Sequence, residues 1–331
     1  MDNRLLSTRT TPSSNPLKGY LYVMAAALLW ACSGIAGKYL FRSGITPAEL
    51  VQARVTIAPL LLFAVLATFR KPLLKVSPSD ALPLLVLGGV ITPMLQMTYF
   101  LAIKHIQVAL AILIQYLAPI LVAVFSMFFW KERCTLAKIS ALVLSLGGCY
   151  LAVGGISLKP AGMNWLGVCW GLCSAFFFAV YTLFSERQMH RFSPFTVLFY
   201  SLFFAGICLN AVFGPLIFCK NSHTATQWLL IVFVALFGTL IPFGLYSLGI
   251  NHIRATRAII TATLEPIWAA VLAFFLISET LLPEQIAGGA LVIGAIILLQ
   301  IEREKGELSP AAIRARMHED ASKNSLTGTL E

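Results

Sequence analysis

Residues 109–130, ALAILIQYLAPILVAVFSMFFW, return 147 positions later as residues 256–277, TRAIITATLEPIWAAVLAFFLI. Each run is long and apolar enough to cross roughly 30 Å of hydrocarbon, which takes about 20 residues of helix. Each also carries an internal proline, Pro119 and Pro266. The second copy adds a carboxylate, Glu265, where a charge costs on the order of 2.5–3.5 kcal/mol even on mild insertion scales. The recurrence organises the fold, and the added carboxylate directs the search for a site.

The repetition extends well beyond these two runs. The same shift places Tyr99 on Tyr246, His105 on His252, Glu132 on Glu279 and Gly147 on Gly294, with 17 identities in 49 ungapped positions over residues 99–147. Composition alone gives about one in ten in so apolar a stretch. Pro47 of GITPAEL falls on Pro194 of RFSPFTV; each follows a capping residue, Thr46 or Ser193, in the pattern of a helix start. A shift of 148 sets Gly19 on Gly167, so the repeat covers nearly the whole apolar part of the chain.

Composition excludes a soluble domain. Of 331 residues, 58% are hydrophobic and 11% charged, with a mean hydropathy of +0.84, far from the balance of water-soluble folds. Ten apolar runs are expected to span, near 19–40, 47–69, 81–103, 108–130, 135–155, 162–184, 194–218, 226–250, 256–277 and 283–301. They lack the alternation of barrel strands. In lipid each backbone group needs an internal partner, so the spans are helices. The expected fold class is therefore an all-α polytopic membrane protein of ten transmembrane helices. Five spans per repeat is an odd number, so the second copy enters the membrane from the opposite side. Such inverted pairs are the architecture of many secondary transporters, which alternate access to a site at the repeat interface. The chain divides into a tail at 1–18, a first five-helix repeat at 19–155, a second at 162–301, and a tail at 302–331 with an amphipathic turn at PAAIRARMHED.

The formal charge of +10 is a topology signal and not a nucleic-acid footprint. Eighteen of the 24 Lys and Arg fall in the two tails and the even-numbered loops, five in the odd-numbered loops, and Arg54 lies inside the second span. By the positive-inside rule both termini are cytoplasmic, and the expected location is the cytoplasmic (inner) membrane. The seven cysteines form no disulfide or metal pattern; Cys169 and Cys173 have no further ligands nearby. No phosphate-loop motif, paired catalytic carboxylates, metal cluster or nucleophile with its base is present. The reading is of a non-enzyme without cofactor, partnered by the lipid bilayer, a small-molecule substrate and a proton as candidate coupling ion, as a monomer or homodimer.

The segments YLAPILVAVFSMFFWKE and LEPIWAAVLAFFLISE, followed by the glycine-rich LVLSLGGCYLAV and GGALVIGAIILL, make the chain similar to the EamA family of the drug/metabolite transporter superfamily. The resemblance runs over about residues 17 to 302. It implies a secondary transporter, and an exporter of amino acids or related metabolites in the first instance. A cationic drug, an S-adenosylmethionine-like or nucleotide-like metabolite, or a sugar is the alternative cargo. A non-transporting receptor or assembly factor is the reading of another class, and the inverted repeat speaks against it. Ala118 stands before Pro119, where the family often has Asn or Glu, so the site symmetry is broken.

Glu265 is the leading site candidate, since an intramembrane carboxylate binds a cation, carries a proton or pairs with an arginine. Thr261, Glu265 and Trp268 fall at i, i+4 and i+7 of one helical face, the expected cavity wall. Arg54, about 10 Å into the second span, either snorkels to the interface or pairs with Glu265 or a substrate carboxylate. Gln96 with Tyr99, and Gln115 with Tyr116, offer neutral hydrogen-bonding groups, while Trp30, Phe178 and Tyr181 offer an aromatic wall. Pro119 and Pro266 leave the carbonyls of Gln115 and Ala262 without their usual donors and act as kinks or gates. His105 and His252 read as matched turn residues, Glu132 and Glu279 as caps, and Gly167 with Gly171 as a close-packing face.

Overall fold

The computed structural model describes residues 16–130, 135–152, 164–277, 282–301 and 308–317. Glu132 and Glu279 lie outside the described residues. Every regular element among those described is a helix. The first two spans are Pro16–Arg42 and Pro47–Phe69, the second opened by a capping box in which Thr46 and Glu49 bond reciprocally. The third runs from Pro78 to His105 through a wide π-turn at Leu87–Ile91. The fourth is broken into Val108–Gln115 and Ala118–Trp130, and the fifth is Leu136–Ala152. The second repeat follows the same plan. Its sixth span is Trp165–Met189, and its seventh, Pro194–Phe213, is capped by Ser193 through the backbone N–H of Thr196. The eighth begins at Ala225–Ala235 and passes a second π-turn at Leu236–Leu240.

The long helix Ile241–Ala262 contains a break at Arg254, whose φ of 69° lies in the left-handed region. The eighth span ends there. The ninth comprises residues 255–262, a turn at Thr263 and Leu264, and then Glu265–Ile277. The tenth is Pro283–Ile301. Two span ends differ from the sequence reading by five residues. The sixth span continues five residues further because Ser185, Glu186 and Gln188 are buried by protein and need not end at the lipid surface. The seventh stops at Phe213, where Gly214 turns with φ 91° before the short helix Ile217–Lys220.

Packing is between repeats as much as within them. The first span lies along the eighth, the third along the sixth, and the fifth along the tenth. The last pair closes on glycine: a Cβ on Gly148 would lie 2.6 Å from the Gly288 carbonyl oxygen, and one on Gly288 would lie 2.5 Å from that of Gly148. Small residues permit this approach where no hydrophobic force separates helix from lipid. Gly167 and Gly171 likewise pack inside the molecule, against Ile106 and Ile114.

Polar ties close the ends of the helices. Lys38, at the end of the first span, donates to the carbonyls of Ile103 (2.7 Å) and Ile106 (3.3 Å). Its repeat equivalent at a shift of 148 is Glu186. Glu186 accepts from the Ala255 N–H at 2.6 Å and from Arg254 Nε at 3.0 Å, in the matching turn of the other repeat. The residues after the tenth span also contribute. In the helix at 310–317, Arg314 donates to the carbonyls of Met189 and Phe192 and to Asn251 Oδ1.

Gly288→Leu should wedge the fifth and tenth spans apart and lower stability by about 1–3 kcal/mol, the usual range for overpacking. Gly147→Ala, at a position with nothing within 4 Å of the added carbon, should be neutral or slightly stabilising. Thermal unfolding in detergent checks both.

Candidate translocation site

The polar residues that the sequence offers are sorted by two prolines. Pro242 has no N–H to give the carbonyl four residues earlier, at Gly238. In the π-turn Leu236–Leu240 that carbonyl accepts Arg54 Nη2 at 2.7 Å, and Thr239 Oγ1 accepts Arg54 Nε at 2.6 Å. Thr239 in turn donates to the Val234 carbonyl. The guanidinium also lies over the Phe100 ring, 4.7 Å from its centroid, a favourable cation–π geometry. Arg54 is thus buried and anchored and does not snorkel to the interface.

Pro266 does the same for the carboxylate. It leaves the Ala262 carbonyl without a helical donor, and that carbonyl accepts the Tyr116 hydroxyl at 2.6 Å. The same hydroxyl lies 2.8 Å from Glu265 Oε2, while the Tyr99 hydroxyl is 3.5 Å from Oε1. Glu265 is only 3% exposed. Both groups line one cavity of about 460 Å³, counted as the space between its lining atoms out to the mouth. No ion pair within 4.0 Å joins Arg54 to Glu265 among the described residues. Tyr99 lines the cavity with them.

The rest of the lining combines neutral polar groups with an aromatic wall. Gln96 and Gln115 face the cavity. The Gln115 amide donates to Ser174 at 2.7 Å, whereas neither amide atom of buried Gln96 has a partner. Trp30, Phe178 and Phe243 form the wall. The indole lies 5.2 Å from the Phe243 ring and 6.0 Å from that of Phe178, and its buried Nε1 has no acceptor.

Three expected wall residues lie elsewhere. Thr261 is fully buried and bonds back to the Arg257 carbonyl, and Trp268 is outside the lining. For Thr261 the reason is the turn at Thr263 and Leu264, which interrupts the ninth span, so helical register does not pass from its half-helix to that of Glu265; Trp268 shares the half-helix of Glu265 and packs, half-buried, against the core. Tyr181 packs against Phe243 from behind, with ring centroids 5.5 Å apart. Tyr116 is a support for Glu265 and not a lining residue. Pro119 lies at the corresponding break of the fourth span, after Tyr116 and Leu117. Ser33, Leu95 and Phe243 line the cavity without having been singled out, because apolar and small residues carry no distinguishing signal in an apolar sequence. The Thr239–Pro242 segment was legible in principle: a proline within a span marks a released carbonyl.

The comparisons agree with this architecture. The chain matches the model of the EamA-like transporter family over residues 17–154 and again over 165–301. It is 26% identical over 294 residues to the uncharacterized inner membrane transporter YicL of Salmonella typhimurium, covering 87% of this chain and 97% of that one. An uncharacterized transporter of Archaeoglobus fulgidus is 30% identical over 61% of this chain and 70% of its own length. The threonine/homoserine exporter RhtA of Escherichia coli is 26% identical over 74% of this chain and 77% of its own. A crystal structure 20% identical in sequence shares the fold with a TM-score of 0.70, over 86% of this chain and 96% of that one. This chain is accordingly a multi-pass inner-membrane transporter and belongs to the EamA-like family of the drug/metabolite transporter superfamily.

Proposed function

We propose that the cargo is a small zwitterion of the amino-acid class, moved outward by alternating access, with Arg54 receiving its carboxylate and Glu265 its ammonium. One observation carries this reading: a buried base from the first repeat and a buried acid from the second line the same cavity without pairing with each other. Leaving two charges buried and unpaired is expensive, and a ligand with both signs compensates both. Gln96 and the Trp30 indole, each with buried polar atoms lacking partners, suit a polar substituent on that ligand. The name of the relative RhtA, a threonine/homoserine exporter, supports the same class.

The alternatives fit the lining less well. A cationic drug or an S-adenosylmethionine-like cargo engages Glu265 but places positive charge in a cavity that also holds Arg54. A sugar uses neither charge. The orientation follows from the distribution of Lys and Arg, with both termini cytoplasmic. In that orientation the Glu186–Arg254 tie and the docked helix at 310–317 close the cytoplasmic ends. Arg54, Tyr99 and Gln115 then sit in the outer half of the membrane.

Counterflow in proteoliposomes preloaded with unlabelled amino acids tests the proposal. A defined subset of labelled amino acids should accumulate. Arg54→Gln and Glu265→Gln should each reduce that exchange by about 10–100-fold, since a hydrogen bond to a charged group contributes about 1.5–3 kcal/mol. Both variants should remain folded. Absence of amino-acid counterflow by folded wild type, with flux of a cation or a sugar, overturns the cargo; specific binding without flux favours the receptor reading.

Gln96→Leu should separate stability from function. Removing two buried polar atoms that lack partners should stabilise the empty protein by about 1 kcal/mol or more. The same change should weaken substrate binding, the trade-off expected at a site preorganised for a ligand. Thermal unfolding and counterflow of the same preparation read the two effects.

A further inference from the structure

The Tyr116 hydroxyl has one hydrogen and two acceptors. The Ala262 carbonyl lies 2.6 Å from it and Glu265 Oε2 lies 2.8 Å from it. With Glu265 ionised, all three oxygens share a single proton, and one of the two acceptors is left without a hydrogen bond. With Glu265 protonated the arrangement closes: the carboxylic acid donates to the Tyr116 oxygen, and Tyr116 donates to the Ala262 carbonyl. Every proton in the chain then has an acceptor, and each of the three oxygens takes part in a hydrogen bond, as buried polar groups require.

The position of this chain gives it mechanical weight. Ala262 is the last residue before the turn that breaks the ninth span, and Glu265 is the first residue after it. The structure gives the Ala262 carbonyl no backbone donor across that turn; the turn's own bonds run from Thr263 to Ile260 and from Leu264 to Thr261. The Tyr116 hydroxyl, from the corresponding break of the fourth span, is the pin. The first repeat has no such chain, because Ala118 occupies the place of Glu265 and Thr263, the equivalent of Tyr116, bonds to Ile260 within its own helix.

We infer that Glu265 and Tyr116 form a proton site that sets the hinge of the ninth span. Protonation of Glu265 pins the Ala262 carbonyl to the fourth span. Loss of that proton to the cavity turns the Tyr116 hydroxyl toward the carboxylate, frees the Ala262 carbonyl and loosens the break. The groups facing Glu265 are Tyr99 and Tyr116 from the third and fourth spans, Cys149 from the fifth, and Arg54 across the cavity from the second. The faces of the first, sixth and eighth spans lining the cavity are Trp30, Ser33, Phe178 and Phe243. Among these, a carboxyl group is the one whose charge ordinarily changes at moderately acidic pH. The inference rests on the proposed reading only in sharing Glu265: an ammonium and a proton compete for the same oxygen, which makes the proton the exchanged ion.

The test uses substrate-free full-length protein, so its outcome is independent of the cargo. Infrared difference spectra between acidic and alkaline pH should contain a hydrogen-bonded carboxylic C=O band, absent in Glu265→Gln and shifted to higher frequency in Tyr116→Phe. Hydrogen–deuterium exchange of the backbone around the 263–264 turn should rise in wild type as pH rises through that titration, beyond the intrinsic effect of pH on exchange. In Tyr116→Phe it should be raised at all pH values, and in Glu265→Gln, whose amide can donate to Tyr116, it should stay low. If Tyr116→Phe does not fold, the wild-type and Glu265→Gln measurements decide alone. A titrating band with no change in exchange at the turn overturns the hinge. No titrating band assignable to Glu265 overturns the proton site, while amino-acid counterflow in the same preparation leaves the cargo reading standing.

Discussion

A backbone carbonyl inside a membrane must find a donor, and the two that matter most here have been deprived of theirs by proline. Pro242 releases Gly238, which takes Arg54; Pro266 releases Ala262, which takes Tyr116 and, through Tyr116, orients Glu265. Lipid offers neither carbonyl a donor in the hydrocarbon region. Side chains reaching across from other helices do so, and those side chains define the cavity. The cost of breaking a helix in lipid thus becomes the means of fixing polar groups at the middle of the molecule. The discontinuous spans at the interface between repeats follow the pattern of secondary transporters, in which broken helices face the substrate site.

Duplication supplied the frame, and divergence supplied the chemistry. The two π-turns, the two mid-span breaks and the threonines that bridge the π-turns, Thr92 to Leu87 and Thr239 to Val234, recur in both halves. The charges do not. At the shift of 147, Arg54 corresponds to Ser201 and Glu265 to Ala118. Each repeat therefore contributes one sign of charge, and the cavity between them is polarised. A symmetric pair of carboxylates would suit a dication or a proton relay; one acid facing one base suits a zwitterion. The same divergence appears at the helix ends, where Lys38 and Glu186 hold equivalent turns with opposite chemistry.

Much of the fold was legible because length, hydropathy and an offset repeat are one-dimensional properties. The ten spans, the odd number per repeat and the caps at Thr46 and Ser193 needed only spacing. The site was legible in part. Glu265, Arg54, Gln96, Tyr99, Gln115 and Trp30 were recognised as polar or aromatic residues out of place in lipid, and all six line the cavity. Thr261 joins the wall only if helical periodicity is carried across a turn that the sequence places next to Pro266 but does not display, while Trp268, in the same half-helix as Glu265, packs against the core. Tyr181 failed for a different reason: aromatic residues pack as readily behind a wall as on it. Phe243 and Ser33 could be found only once the eighth and first spans were seen to face the same space.

The most direct test of the central claim, that Arg54 and Glu265 together read the two ends of one ligand, is calorimetric binding to the detergent-purified protein. The ligands are the amino acid that exchanges best, its methyl ester and its N-acetyl derivative. The ester lacks the carboxylate and the acetylated form lacks the ammonium, with the side chain unchanged. Measurable binding of the amino acid, with both derivatives weakened by at least about tenfold, equivalent to about 1.4 kcal/mol each, is the predicted result. Binding of either derivative as tightly as the parent would contradict the claim, since one of the two buried charges would then have no part in recognition.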